Sequence, residues 1–424
     1  MKVIIVGGGA SGLICAIESA RQSCQVTIIE HNEKVGKKIY ITGKGRCNLT
    51  NLCSPSVFLT NVVTNSKFLY SSINVFSPQD TIEYFNKLGL LTVVERGQRV
   101  FPSSQKASDV TSALMREINR LGVTVLLNSD VQCINVAGNV VKSLTVLHKS
   151  ASLSNNMTDI VVCDRLVLAT GGRSYPTTGS NGSGYALAQS VGHNIIKCKP
   201  SLVGILANDC AQLSGLSLKN VNVQLLNKQG KVLREEFGEL LFTHNGLSGP
   251  TILTISAYAN KIDLNGCVIS INLKPALTQQ QLDTRLQRDF TQFSNKDLVN
   301  GLSKLLPQNL ICFIIKECCL SANAKVNSIT SQQRKRICDT IQQLQFKIIG
   351  LDSIDNAVVT SGGVDVKQIN PTTMQSKVIS NLYFCGEIID VDALTGGFNM
   401  QIAFSTGYVA GRSLSSSPTS AYKV

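Results

Sequence analysis

The chain opens, after Met1-Lys2, on four consecutive apolar residues, Val3-Ile4-Ile5-Val6. An uninterrupted β-branched run of this kind predicts a strand buried on both faces, as in a parallel sheet. A glycine turn, Gly7 to Gly12, follows, and then Leu13, Ala16, Ile17 and Ala20 at helical spacing. Val26-Thr27-Ile28-Ile29 predicts a second strand, which ends at Glu30. Together these make one βαβ unit of about 30 residues.

Downstream, 3.6-residue periodicity predicts amphipathic helices over 78–89 and 106–121, the second carrying Val110, Ala113, Leu114 and Ile118. β-rich runs at 123–127, 131–136, 140–146 and 160–168 predict an antiparallel meander. Residues 36–51, rich in Gly, Lys and Asn, are expected as a long functional loop. A short helix is expected over 184–191. Short strands fill 200–275, helical patterns fill 277–345, and strand character returns from 346. The last element is a helix over 401–414, and the Ser/Pro-rich tail beyond it is expected to fray.

Length then bounds the architecture. The 424 residues suggest two or three domains, and 43% apolar residues suffice for a large core. No run is long and apolar enough for a membrane-spanning helix, and no signal peptide is evident, so a cytoplasmic location is expected. The 14 cysteines have irregular spacings without C-x-x-C, and none of the four histidines stands at metal spacing to a cysteine. Reduced thiols and no metal site are expected. The balance of 40 Lys+Arg against 27 Asp+Glu, +13, favours anionic cofactors or polyanions. In sequence it is spread out. Its densest run, Arg334-Lys335-Arg336, reads as a solvated helix face rather than a nucleic-acid patch, so a small-molecule substrate is expected as partner and nucleic acid is not.

The chemistry begins at Gly7-x-Gly9-x-x-Gly12. Between a strand and a helix, the first glycine makes the tight turn and the second lets a pyrophosphate approach the backbone. The third lets helix and strand pack closely. Ala10, Ser11 and Gly12 begin the helix, whose N-terminal N–H groups favour phosphate. Glu30 is placed to accept hydrogen bonds from ribose hydroxyls, and it would repel a 2′-phosphate. FAD or NAD is therefore expected, not NADP, as the bound dinucleotide. Two later features favour FAD. Strand 166–168 leads into Ala169-Thr170-Gly171-Gly172, a turn that would lie against the cofactor. Near the C-terminus, strand 381–385 delivers Gly386-Glu387, whose carboxylate suits a ribityl chain. Then Thr395-Gly396-Gly397-Phe398-Asn399-Met400-Gln401 opens the last helix toward the flavin pyrimidine edge, where a helix N-terminus stabilises negative charge.

These motifs resemble the BaiN-like, or aminoacetone-oxidase-type, family of NAD(P)/FAD-dependent oxidoreductases. The matching stretches are GGGASGL (7–13), GKKIYITGKGRCNLTN (36–51), RVFPSSQKASDV (99–110), LATGGRSYPTTGSNGSGYALA (168–188), GELLFTHNGLSGP (238–250) and most of 359–411. Lys44, where the family usually shows glycine, and Ser183, where it usually shows an acid, depart from the pattern. The resemblance implies an α/β, Rossmann-type FAD-binding domain of the two-dinucleotide-binding kind, interrupted by a small β-barrel and a helical bundle. The implied boundaries are 1–196, 197–276 (barrel), 277–345 (helical) and 346–424. It further implies Lys37 and Lys38 along the pyrophosphate, Gly43, Gly45, Arg46, Cys47 and Asn48 close to the flavin, and the Val131 backbone at the adenine. Glu387 and Asp390 would serve the ribityl or pyrophosphate region, and Asn399, Met400 and Gln401 the isoalloxazine.

No catalytic side chain is singled out. Cys47 is expected as a packed thiol, His244 as a loop-stabilising residue and Tyr175 as a packing residue. Arg46 is equally a loop residue or a contact to flavin or an anionic substrate. No second glycine fingerprint marks a nicotinamide domain, so NAD(P)H is expected only as a transient donor. The expected function is an FAD-dependent oxidoreductase acting on a small or medium organic substrate, by enone-type C=C reduction or amine oxidation. The alternative is an FAD-containing RNA-interacting or tRNA-modification protein, and a third is a redox-sensitive flavin-binding partner.

Overall fold

The computed structural model describes residues 1–149 and 157–415. They form two units: Met1–Ser201 with the segment from Ile354 onward, and Leu202–Ser353.

The first unit is built on a five-stranded parallel sheet in the order Leu382–Phe384, Arg165–Leu168, Lys2–Val6, Gln25–Ile29, Thr124–Leu126. Lys2–Val6 is central, and Val3, Ile4 and Ile5 are buried, as an apolar run without alternation requires. The Ala10–Ala20 helix crosses the C-terminal Phe398–Ser413 helix at very short range. A Cβ on Gly407 would lie 2.4 Å from the Ser11 carbonyl oxygen, and one on Gly411 would lie 2.7 Å from that of Cys15. Small residues are what allow this approach. The two amphipathic segments are helices at Pro78–Lys87 and Ala107–Arg120; a Ser77–Asp80 capping box starts the first.

Several elements differ from the sequence expectation. The 123–127 run is not part of the meander: Thr124–Leu126 joins the parallel sheet beside Gln25–Ile29. The 160–168 run splits into Met157–Val162, the edge of a three-stranded antiparallel sheet with Ser129–Ala137 and Val140–His148, and Arg165–Leu168, which lies in the parallel core. Asp164 makes the break by accepting the Lys2 N–H at 2.6 Å. Apolar content alone cannot separate an edge strand from a core strand. Residues 36–51 are not simply loop, because Lys37–Ile41 forms a short helix that buries Ile39. The last helix begins at Phe398, three residues before the expected start, because Gly397 at φ 101° supplies the turn that precedes it. Of the expected frayed tail, residues 416–424 lie outside the described residues.

The second unit holds a closed six-stranded barrel in the order Ile205–Ala207, Gly246–Ser248, Val232–Thr243, Ser217–Leu226, Val268–Asn272, Leu344–Leu351. Helices Gln279–Gln292, Gln308–Glu317 and Ser331–Gln342 lie between the last two strands in sequence. The closing strand thus falls after the helical stretch, across the position where the sequence places the return to the cofactor domain. Phe346 fixes it there, packed against Phe242 and Phe313 at 5.4 and 5.7 Å between ring centroids.

Among the described residues no helix is long and apolar enough to cross a membrane. None of the 14 cysteines is in a disulfide. No group of three or more His, Cys, Asp or Glu among the described residues could hold a metal ion.

Candidate functional site

The three fingerprint glycines have three different surroundings. Gly7, at φ +105°, donates its N–H to the Ile29 carbonyl at 2.8 Å, and a Cβ there would lie 2.4 Å from the Ala169 oxygen. A Cβ on Gly12 would lie 2.0 Å from the Gly7 oxygen, so helix and strand touch. A Cβ on Gly9 would meet nothing within 4 Å. The Ala10–Ala20 helix that starts here has no side-chain cap and no acid in its first turn. Its free N–H groups and partial positive charge therefore face the open space in front of Gly9. Ala10 is half-buried, and Ser11 turns its hydroxyl to the Cys385 carbonyl at 3.3 Å, leaving its backbone rather than its side chain for an anion.

Glu30 ends the second strand. Its Oε2 accepts the Gly8 N–H at 2.8 Å, and its Oε1 accepts the Asn32 N–H at 2.9 Å and the Asn32 carboxamide at 2.7 Å. The Ser129 N–H donates to the Glu30 carbonyl at 3.0 Å, which brings the strand carrying Val131 to the same corner.

The 36–51 segment runs along this corner. Gly36 donates to the Gly8 carbonyl at 2.8 Å. Lys37 bonds Asn32 and Glu33, at 3.1 and 2.9 Å, while Lys38 bonds Ser174 at 2.7 Å and Glu387 at 2.6 Å. Then Gly43, Lys44, Gly45 and Cys47 all adopt positive φ, which only tight local bonding sustains in the two that are not glycine. The Cys47 N–H is held by the Thr42 carbonyl at 3.0 Å. Its thiol is fully buried and pushed up to about 12 by that burial, so it is a packed thiol rather than a thiolate. Arg46 reaches Glu95 at 2.9 Å and Gln105 at 2.8 Å and stacks 4.1 Å over the Phe101 ring. Asn48 keeps a buried Oδ1 without a hydrogen-bond partner.

Glu387 ties the 36–51 segment to two others. Besides Lys38 it accepts the Ser174 hydroxyl at 3.0 Å and the Thr360 N–H at 2.9 Å. Gly172 lies against it, since a Cβ there would approach Glu387 Oε1 to 2.8 Å. Gly171 is at φ +75°, and Thr170 has a buried hydroxyl without a partner. Ser174 and Thr360 sit within quoted motifs, yet sequence reasoning did not single them out. Nothing local announces that residues 186 positions apart share one carboxylate. Asp390 takes the Asn65 carboxamide through both its carbonyl and its carboxylate, at 2.7 and 3.0 Å.

The final helix also starts without a side-chain cap, after Gly397. Gly397 packs on the Thr50 carbonyl, where a Cβ would come within 2.4 Å, and this joins the helix start to the 36–51 segment. Asn399 uses its side chain to pin the Ala393 backbone, at 2.9 and 2.7 Å. Gln401 is fully buried, with its carboxamide on the Phe76 carbonyl at 3.0 Å and its own N–H on the Gly397 carbonyl at 3.0 Å. Met400 is half-buried against the core. What this helix offers a ligand is the N–H groups of its first turn, not the side chains of 399 and 401.

The residues present fit FAD. The open space at Gly9 meets an uncapped helix N-terminus, as a pyrophosphate needs, and a second uncapped N-terminus opens the last helix.

The family description "HI0933-like protein Rossmann domain" matches residues 1–413. The chain is 30% identical over 423 residues to a 3-dehydro-bile acid delta(4,6)-reductase of Clostridium scindens, covering 98% of this chain and 100% of that protein. It is 30% identical over 418 residues to a ribosomal RNA dihydrouridine synthase of Escherichia coli, covering 97% of each. Among solved structures it is similar to a flavocytochrome c3 fumarate reductase, with TM-score 0.52, 15% identity, and 97% of this chain and 78% of that chain covered. It is equally similar to the 3-ketosteroid-delta4-(5alpha)-dehydrogenase of Rhodococcus jostii RHA1, with TM-score 0.52, 14% identity, and 98% and 96% covered. At such identities the structural likeness speaks to the fold: a Rossmann-type, FAD-binding flavoprotein fold.

Proposed function

The chain belongs to the HI0933-like Rossmann family, and on that premise we propose that it is an FAD-dependent oxidoreductase that saturates a carbon–carbon double bond conjugated to a carbonyl. The observation that carries the cofactor is the pair of uncapped helix N-termini at Ala10 and Phe398, with open space at Gly9. The reaction class comes from the relatives. One is named for reducing a 3-oxo bile acid at its 4,6 unsaturation, and the other for making dihydrouridine. Both names describe hydrogen added across a C=C in conjugation with C=O, which favours reduction over amine oxidation.

When bound and reduced by a nicotinamide donor, FAD would supply a hydride from N5 for the β-carbon of such a bond, with a proton for the α-carbon. The N–H groups of Ala10, Ser11 and Gly12 hold the pyrophosphate. Glu30 holds the adenosine ribose, with the Val131 backbone beside the adenine. Lys37 and Lys38 offset phosphate charge. Thr170, Gly171, Glu387 and Asp390 line the stretch from ribityl chain to pyrophosphate. Gly43, Gly45, Arg46, Cys47 and Asn48 flank the flavin, and the first turn of the last helix, at Asn399 and Met400, meets its pyrimidine edge. NADH or NADPH docks transiently as donor.

A second reading of the substrate has its own support. Relatives from Escherichia coli and Haemophilus influenzae, 30% and 31% identical, carry the ribosomal RNA name, and the chain's +13 charge suits a polyanion. In that reading the double bond is the 5,6 bond of a uracil in RNA.

An absorbance spectrum of purified protein, anaerobic reduction by NADH and NADPH in turn, and reoxidation by cyclohexenone or by uridine-containing RNA test the whole. Colourless protein that takes up no FAD removes the proposal. Flavin that is reduced but not reoxidised by either acceptor removes the reaction class.

A further inference from the structure

The basic surplus, dispersed in sequence, is gathered by the fold. Segments 34–51 and 92–106 together carry eight Lys or Arg and one acid, a surplus of seven out of the chain's thirteen. Lys37 and Lys38 face Glu33 and Glu387, and the fold joins the remainder, residues 44–51 and 92–106, into one surface. The Thr50–Asn51 strand pairs with Arg99–Pro102, and Arg99–Pro102 pairs with Thr92–Glu95. Leu49 and Leu52 donate to the Val100 and Gln98 carbonyls at 2.8 and 2.7 Å. Arg46 locks the loop to the hairpin and, in doing so, neutralises Glu95, the one acid. Lys44, Arg96, Arg99 and Lys106 are exposed, and none of them is in an ion pair with a carboxylate among the described residues. Of the flanking acids, Glu33 pairs with Lys37 at 2.9 Å, while Asp109 stays charged beside the patch, its carboxyl held below the usual range by hydrogen bonds from Ser104 and Ser108 and by the nearby charges of Lys106 and Arg116. By contrast the densest basic run in sequence is partly cancelled, because Arg334 bonds Asp283 at 2.7 Å.

We infer that this surface docks the phosphodiester backbone of single-stranded RNA beside the flavin loop, a step that rests on the uracil reading of the substrate. Three features favour RNA. Four exposed cations, none in an ion pair with a carboxylate among the described residues, stand on the hairpin, the turn after it and the loop tied to it, which suits a row of phosphates. Leu91, Val93 and Val94, 71%, 38% and 44% exposed, lie along the same hairpin and offer apolar contact to riboses and bases. The hairpin tip, Arg96-Gly97-Gln98-Arg99, is polar and charged, the reverse of a tip that enters a bilayer. The surface also borders the 43–48 segment, so RNA bound there presents a base to the proposed flavin site. A uracil inside a duplex would first have to be extruded, which is why the single strand is the form that docks.

The test compares the FAD-loaded wild type with R96E/R99E/K106E, and with R96Q/R99Q/K106Q in case charge reversal impairs folding. Binding of a labelled single-stranded uridine-rich RNA is followed across a KCl series. Each lost phosphate contact removes about 0.7 from the slope of log affinity against log salt. The variants should therefore bind at least tenfold more weakly, with a slope shallower by about 2. Flavin content and cyclohexenone reduction should not change. Equal slopes in wild type and variants overturn the surface while leaving RNA as substrate. Wild type without salt-dependent RNA binding overturns the uracil reading and the surface with it, and cyclohexenone reduction then still judges the reaction class. Loss of binding to phosphatidylserine vesicles with RNA binding intact assigns the patch to lipid and also overturns the inference.

Discussion

The Glu30 carboxylate accepts the Gly8 N–H at 2.8 Å. The residue proposed to hold the ribose thus also fixes the glycine turn that would cradle the pyrophosphate, so one side chain sets both ends of the adenosine diphosphate site. Glu30→Gln keeps an acceptor for Gly8 and removes the charge; Glu30→Ala removes both. A charged acceptor is worth about 1.5–3 kcal/mol, so FAD should bind tens-fold more weakly to the Ala variant and by a smaller factor to the Gln variant. Flavin content after gel filtration and titration of apoprotein measure this. Equal retention in wild type and both variants would show that Glu30 serves the turn alone.

Gly9 and Gly12 should separate folding from cofactor binding. Gly9 has φ −82° and open space where a side chain would go. Gly9→Val is expected to fold with a melting temperature near wild type and to purify colourless. In Gly12→Ala the new methyl meets the Gly7 oxygen, and overpacking of this kind costs about 1–3 kcal/mol. That variant should melt early before any question of flavin arises. A yellow Gly9→Val protein would place the pyrophosphate elsewhere.

What the sequence disclosed was local. The first βαβ unit, the helix periods and the glycine fingerprint depend on neighbours within a few residues, where steric rules act. The partners of Glu387 come from Lys38, Ser174 and Thr360, up to 349 positions away, and no spacing encodes them. Gln401 stands in a motif-rich stretch, yet its carboxamide caps the Phe76 carbonyl, a role that appears only once two helices are packed. The 160–168 run hid two strands with opposite fates because both are apolar. The basic surface stayed hidden because its charges lie on two segments some fifty residues apart in the chain, joined by Arg46 and Glu95.

Lys44 stands where the resemblance implies glycine, and it holds φ +59°. Left-handed backbone costs a residue with a side chain about 1 kcal/mol. Lys44→Gly should raise the melting temperature, less what glycine adds to the freedom of the unfolded chain. The same change removes one exposed cation and should lower the salt slope of RNA binding by about 0.7. Thermal unfolding and the KCl series read the two effects separately. A lower melting temperature would show that the Lys44 side chain makes stabilising contacts that outweigh its backbone strain.

Acid stability should carry the signature of Glu117. Its carboxyl is pulled down to about 2, first by the hydrogen bond from Arg120 and then by Arg21, which ties the Ala10–Ala20 helix to Ala107–Arg120. The ordinary value is 4.5. Between these two values the unfolded chain binds the proton and the folded chain does not. The pair therefore stabilises the protein fully above pH 4.5, and its contribution drains away as pH falls toward 2. Glu117→Gln should lose about 1 kcal/mol at neutral pH, since part of the network is solvent-screened. Its stability should then decline less steeply in acid than that of wild type, so the two curves converge. Thermal midpoints taken at neutral pH and at steps down to pH 3 decide it. Parallel curves would mean that Glu117 is no better held in the folded protein than in the unfolded chain.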